Sequence, residues 1–284
     1  MNKLGMNAAQ LAAKYFPARM KRALYRYPPL ANLIRGRLNR VVPSGLTDVV
    51  LTSGQLAGMR MRLDLQVEKE YWLGTYELAL QEAVAELVEP GMTVYDVGAN
   101  VGFVTLLMAL SVGENGRVFA FEALPSNQER LRENVTLNGL DSRVEIIPKA
   151  VVNRGAPTRF QVGPSGGTGK VDGSAGRKNL TYEHTITVEG VSLDEFVYDL
   201  GYPPPQMIKL DIEGGEVLAL PGMRRLLVDT NPTVLLELHG PQAASAAWDM
   251  LTSVGYRVCR MESGYPVVPS VDELDWKAYL VALR

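Results

Sequence analysis

Residues 93–103 read TVYDVGANVGF, an apolar run that ends in Asp96 and passes at once into Gly98, Asn100 and Gly102. Glycine has no Cβ and asparagine tolerates the left-handed backbone, so the segment predicts a buried strand closed by a tight turn. Val101–Leu110 continues as an apolar helix, and a helix start offers unpaired N–H groups to whatever lies on the turn. Strand, bare turn and helix start in that order predict a nucleotide-type ligand held against backbone.

The flanking sequence repeats the frame. Tyr76–Val88 spaces its apolar residues as a helix does, and the proline and glycine of "EPGM" end it. Arg117–Glu122 reads as a strand, Ser126–Leu137 as a helix and Val144–Ile147 as a strand. In the second half Leu193–Leu200, Glu216–Leu227 and Ala243–Leu251 read as helices, and Met207–Leu210, Val234–Leu238, Tyr256–Arg260 and Lys277–Leu283 as strands. Such alternation builds βαβ units, so the expected class is α/β: a Rossmann-like fold with a seven-stranded, mostly parallel sheet and helices on both faces.

Charge is nearly balanced over the 284 residues, with 29 basic and 31 acidic side chains, but it is unevenly spread. Residues 1–40 carry nine of the basic residues and no acid, which leaves 20 basic against 31 acidic in the remainder. An acidic body repels phosphates, so no nucleic-acid partner is expected. Residues 1–70 are expected as a basic, partly helical extension and residues 71–284 as the main domain. The basic arm has three readings: packed on the body or on a partner subunit, laid on a membrane surface, or an organelle transit sequence. No apolar run reaches the roughly 20 residues of a membrane span, so a cytoplasmic protein is expected, with membrane contact through residues 1–40 and self-association left open. The single cysteine, Cys259 in "GYRVCRM", reads as a buried thiol, and without a second cysteine a reducing compartment fits.

Which nucleotide the turn takes follows from what it lacks. A dinucleotide fingerprint needs Gly-x-Gly-x-x-Gly, but Asn100 and Phe103 stand at its second and third glycine positions. The "GTGK" at 167–170 is no phosphate loop, because Pro164 and Val171 occupy the places of its first glycine and its closing Ser or Thr. Residues 163–182, rich in glycine, are expected as a flexible loop. Glu122, at the end of the second strand, can accept both hydroxyls of a ribose. An Asp followed by Gly-x-Asn-x-Gly suits a ligand with an amino-acid tail, its carboxylate on backbone N–H groups and its ammonium near an acid. Adenosine with such a tail is S-adenosylmethionine.

At this point the segments "DVGANVG", "VFAFEALPSNQERLRENVTLNGL", "IKLDIEGGEVLALPGMRRLL" and "PTVLLELHG" resemble the FkbM family of S-adenosylmethionine-dependent O-methyltransferases, from about Tyr71 to the C-terminus. Ala123 departs from the proline that usually follows the second-strand acid in that family, and the proline comes at Pro125. The residues and the resemblance together give Asp96, Gly98, Ala99, Asn100, Gly102, Glu122, Ala150 and Asp211 as the expected cofactor contacts. The resemblance implies methyl transfer to a hydroxyl of a small molecule, sugar or natural product. The basic arm and the glycine-rich loop lie outside it.

For the chemistry, "KLDIEGGE" ends the fourth strand in Asp211 and Glu213, and the fifth ends in Glu237 and His239, so Asp211, Glu213 and His239 are expected to converge at the methyl acceptor. An alcohol needs a base to take its proton, and His239 or Asp211 fills that role. Asp211 has a competing role on the cofactor's ammonium, and Glu213 one as a helix N-terminal acid. These residue types also suit a divalent cation, but no metal is expected. His184 reads as a strand-edge residue. "EKEYWLGTYE" gathers Tyr71, Trp72, Tyr76 and Glu77 either as a wall of the cofactor or substrate pocket or as ordinary packing. Two rivals remain: a nucleic-acid methyltransferase, although "DIEGG" stands where amino-group enzymes often carry Asn/Asp-Pro-Pro-Tyr, and a non-catalytic S-adenosylmethionine-binding protein.

Overall fold

The computed structural model describes residues 42–163, 169–177 and 181–284, together with residue 36. The expected basic arm and parts of the glycine-rich loop lie outside the described residues. Seven strands form the central sheet: β3 (Thr93–Val97), β4 (Arg117–Phe121), β5 (Val144–Ile147), β10 (Met207–Leu210), β11 (Thr233–His239), β12 (Arg257–Arg260) and β13 (Lys277–Leu283). Their order is β12-β13-β11-β10-β3-β4-β5. Six run in one direction, and β13 alone is reversed, antiparallel to both its neighbours β11 and β12. The chain leaves β3 toward β4 and β5 and resumes on the other side at β10. The gap between β3 and β10 is therefore the switch point at which open α/β sheets take ligands.

Both faces of the sheet are covered, which is why its central strands are apolar nearly throughout. Side chains alternate between the faces: Val94 enters one core, Tyr95 and Val97 the other. The first core is closed by α1 (Lys69–Trp72), α2 (Leu78–Leu87), α3 (Phe103–Ser111) and α4 (Pro125–Thr136). The second is closed by α5 (Leu193–Tyr198), α6 (Glu216–Ala219), α7 (Arg224–Thr230) and α8 (Pro241–Ser253).

Two features depart from the expected elements. An antiparallel hairpin, β1 (Leu46–Val50) and β2 (Arg60–Asp64), packs on the first core through the buried Met61 and Leu63. It is tied to α4 where the Arg62 N–H donates to Asn134 Oδ1 at 2.7 Å. The helix expected over Glu216–Leu227 is broken into α6, a 3-10 turn at Leu220–Met223 and α7. Pro221 has no N–H to continue the ladder, and a Cβ on Gly222 would meet the Val152 carbonyl oxygen at 2.6 Å. No helix among the described residues is long and apolar enough to cross a membrane.

Between β5 and α5 the chain adds a small sheet in the order β6-β9-β7-β8, from β6 (Ala150–Val151), β7 (Pro157–Val162), β8 (Lys170–Val171) and β9 (His184–Val191). Exposed His184 pairs with Val162 at its end. Within the glycine-rich stretch, the Ala175 N–H donates to the Gly214 carbonyl at 2.9 Å. That contact docks residues 169–177 on the turn after β10.

Candidate active site

The turn after β3 is built by alternation. Gly98, Asn100 and Gly102 have φ of 82°, 51° and 95°. The Gly98 and Ala99 N–H groups both donate to the Phe121 carbonyl at 3.0 Å. A Cβ on Gly98 would lie 1.9 Å from the Asp211 carbonyl oxygen, so only glycine lets the ends of β3 and β10 meet. The Asn100 N–H donates to Glu122 Oε2 at 2.8 Å, and the Leu124 N–H to Glu122 Oε1 at 2.8 Å. Burial raises the Glu122 carboxyl, and these N–H donors pull it back. Ala123 in place of proline leaves this arrangement standing, with Pro125 in the first turn of α4.

Over the turn lies a cavity of about 290 Å³. Of the expected residues, Gly98, Ala99, Asn100, Glu122, Ala150, Asp211 and Glu213 line it. Asp96, Gly102 and His239 do not. Asp96 is fully buried beneath the turn, where its Oδ2 accepts from Thr105 Oγ1 at 2.6 Å and its Oδ1 lies 3.3 Å from Lys209 Nζ. Gly102 caps α3 against Leu131, whose Cδ1 would stand 2.5 Å from an added Cβ. His239 is buried behind Glu237. Tyr71, Tyr76 and Glu77 line the cavity, while Trp72 packs in the core. Tyr71 stacks on Phe103 with ring centroids 4.9 Å apart, and Tyr76 meets both rings edge-on.

The wall opposite Glu122 is a cluster of charges. His239 Nε2 lies 3.0 Å from Glu237 Oε1 and 3.8 Å from Glu213 Oε2. Lys277 Nζ contacts the same Glu237 oxygen and lies 3.8 Å from Glu77 Oε1. Lys209 Nζ donates to the Gly98 carbonyl at 2.9 Å and lies 3.7 Å from Asp211 Oδ2. Burial alone would raise the Glu237 carboxyl, but hydrogen bonds from His239 and Glu77 and the charge of Lys277 hold it down at about 2. Burial disfavours the His239 cation, yet the Glu237 hydrogen bond and the charges of Asp211 and Glu213 raise its pKa. Asp211 is pushed up to about 6 by burial and by the charge of Glu237, with Lys209 opposing.

Donor atoms of Asp211, Glu237 and His239 lie within 4.8 Å of one another. The positive charge that such a set attracts is already supplied by Lys277 on Glu237 and Lys209 beside Asp211. Lys209, Glu237 and Lys277 were not among the expected site residues, and Glu77 stood only in a cluster expected either to wall the pocket or to pack ordinarily. The first two carry a local signal, since each stands two residues before a site residue on a strand and so shares its face. Glu77 and Lys277 reach the site only through the tertiary fold.

The donor chemistry fits an adenosine with a cationic tail. Val97, Phe121, Ala150 and Val151 give apolar walls, Glu122 gives a carboxylate at the end of β4, and a surplus of carboxylates faces the other end. A family model of the FkbM methyltransferase domain matches residues 96–258. In sequence the chain is similar to the hexuronic acid methyltransferase AglP of Haloferax volcanii, 28% identical over 192 residues, which are 65% of this chain and 73% of that protein. Among solved structures it is similar to the FkbM methyltransferase of Methylobacillus flagellatus, with a TM-score of 0.44 and 14% identity, over 90% of this chain and 59% of that one. A further likeness is to Aeropyrum pernix fibrillarin with natively bound S-adenosyl-L-methionine, with a TM-score of 0.42 and 12% identity, over 72% of this chain and 78% of that one. The chain belongs to the FkbM methyltransferase family, and its cofactor is S-adenosylmethionine.

Proposed function

We propose that this methyltransferase is an O-methyltransferase acting on a hydroxyl of a carbohydrate-type acceptor, with Asp211 taking the hydroxyl proton. The observation that carries the reading is the position of Asp211: it directly follows β10 at the switch point, lines the cavity, and has a carboxyl pushed up to about 6 by burial. A base of that pKa stays ionised near neutral pH and still has proton affinity. Bound in the cleft, S-adenosylmethionine supplies the electrophilic methyl group. The protein's own part is to align the acceptor oxygen with that group and remove its proton.

His239, the other expected base, suits a different role. It is buried off the cavity, and its raised pKa favours the cation that pairs with Glu237 and Glu213. Sequence similarity to a hexuronic acid methyltransferase supports a sugar acceptor. A hydroxyl suits the site better than a sugar carboxylate, because a carboxylate needs no base and would approach Asp211, Glu213 and Glu237 against their charge. The same acidic wall disfavours a nucleic acid. The test is transfer from S-adenosylmethionine to a panel of methyl glycosides. Asp211→Asn is expected to lower kcat by about 100-fold or more with a much smaller change in cofactor Kd. Full kcat in that variant would contradict the assignment.

A further inference from the structure

Glu77 has a conformation that its neighbours do not explain. It precedes α2 with φ 37° and ψ 61°, the left-handed region, and makes no cap to the helix that follows. A residue with a Cβ is strained there, and such strain gathers at ligand sites. The side chain lines the cavity but is only 9% exposed. Its Oε1 accepts from Tyr279 Oη at 3.4 Å and faces Lys277. Its Oε2 is buried and meets no donor, and the neighbouring Glu237 Oε2 is in the same position. Asp211, Lys209, Tyr71 and Tyr76 complete the charged and titratable groups around it.

The two carboxyl groups lie within hydrogen-bonding reach, so burial and the charge of Glu237 keep a proton on Glu77 until a positive group beside it favours the carboxylate. Lys277 lies against the Oε1 atoms of both and Lys209 is engaged with Asp96 and Asp211, so it is the Oε2 atoms that remain for a ligand. Glu122 stands at the end of β4, whereas Glu77 faces groups on β11 and β13, on the far side of the switch point. A ligand whose ribose is on Glu122 and whose tail crosses the turn thus brings its positive groups toward Glu77.

We infer that Glu77, with Glu237 beside it, binds the cationic end of S-adenosylmethionine. The inference uses only the identity of the cofactor and is independent of the acceptor. Both the ammonium and the sulfonium carry the required charge, and analogues separate them.

The experiment is calorimetric titration of wild type and Glu77→Gln with four probes: S-adenosylmethionine, S-adenosylhomocysteine (ammonium only), 5′-dimethylsulfonio-5′-deoxyadenosine (sulfonium only) and 5′-methylthioadenosine (neither). Loss of a buried charge partner is expected to weaken S-adenosylmethionine by roughly 30-fold or more and 5′-methylthioadenosine by less than about twofold. A matching loss for S-adenosylhomocysteine assigns the contact to the ammonium, and for the dimethylsulfonio compound to the sulfonium. Equal losses for all four probes, or none, overturn the inference. If the variant fails to fold, the wild type decides: it must prefer S-adenosylmethionine to 5′-methylthioadenosine by more than about tenfold, and equal affinities overturn the inference.

Discussion

Lys209 and Asp96 stand opposite one another in the parallel pairing of β10 with β3, with Nζ 3.3 Å from Oδ1 and side chains 5% and 0% exposed. This buried pair, rather than a ligand, takes the acid at the entry of the glycine turn. It also explains a lysine in the middle of a central strand, because the Lys209 ammonium reaches on to the Gly98 carbonyl and so fixes the turn.

Lys209→Met is accordingly expected to leave Asp96 as an uncompensated buried charge and to lower stability by about 3–5 kcal/mol. Denaturant unfolding measures the loss. The double variant Asp96→Asn with Lys209→Met should recover part of it, and a single variant as stable as wild type would contradict the pairing.

Transfer should follow the ionisation of Asp211. The carboxylate is the active base, so log kcat should rise with unit slope as pH increases and level off at or below about pH 6, since a cationic cofactor favours the ionised form. A kcat profile across pH 4.5–9 reads it. A rate that falls as pH rises through this range would be the wrong sign for a carboxylate base.

Glu216 gives a stability prediction of opposite sense. It is fully buried with Oε2 unsatisfied, and burial raises its carboxyl to about 7. A folded-state pKa above the unfolded value means that the folded chain holds the proton more tightly. Its contribution is present below about pH 4.5 and is lost as pH rises toward 7. Glu216→Gln should therefore gain roughly 1–3 kcal/mol over wild type at pH 8 and little at pH 4.5, as read by denaturant unfolding.

The two lysines bear on metal dependence. With Lys277 on Glu237 and Lys209 beside Asp211, methyl transfer should survive exhaustive chelation and gain nothing from added magnesium or manganese. Activity lost to a chelator and restored by a divalent cation would show that the cluster works with an ion.

Much of this was legible in the sequence because the signals are local. The strand ends at Val97 and Leu210 fall where the change of period and the turn residues put them, and the fifth strand runs one residue past the expected Leu238, so the sheet and the residues at its C-terminal edge could be named in advance. Gly98 and Asn100 were readable because the positive φ of the turn demands such residue types, and Glu122 because an acid closes the next strand beside it. The hairpin over 46–64 was not, since two five-residue strands of mixed polarity give little periodicity until their partners are known. Lys277 was not either, nor was its pairing with Glu77, because the two stand 200 residues apart and meet only when β13 pairs with β11 beside α2. The 3-10 break at Pro221 and Gly222 was written in the sequence, and there a continuing helical pattern outweighed the breaker.

The most direct measurement of the central claim is the nature of the bond formed. Isotope-labelled S-adenosylmethionine would be incubated with a methyl hexuronide bearing both free hydroxyls and a carboxylate, and the product examined by NMR before and after mild alkali. The account predicts an alkali-stable methyl ether, formed by wild type and nearly absent with Asp211→Asn. An alkali-labile methyl ester, formed equally by both proteins, would contradict it.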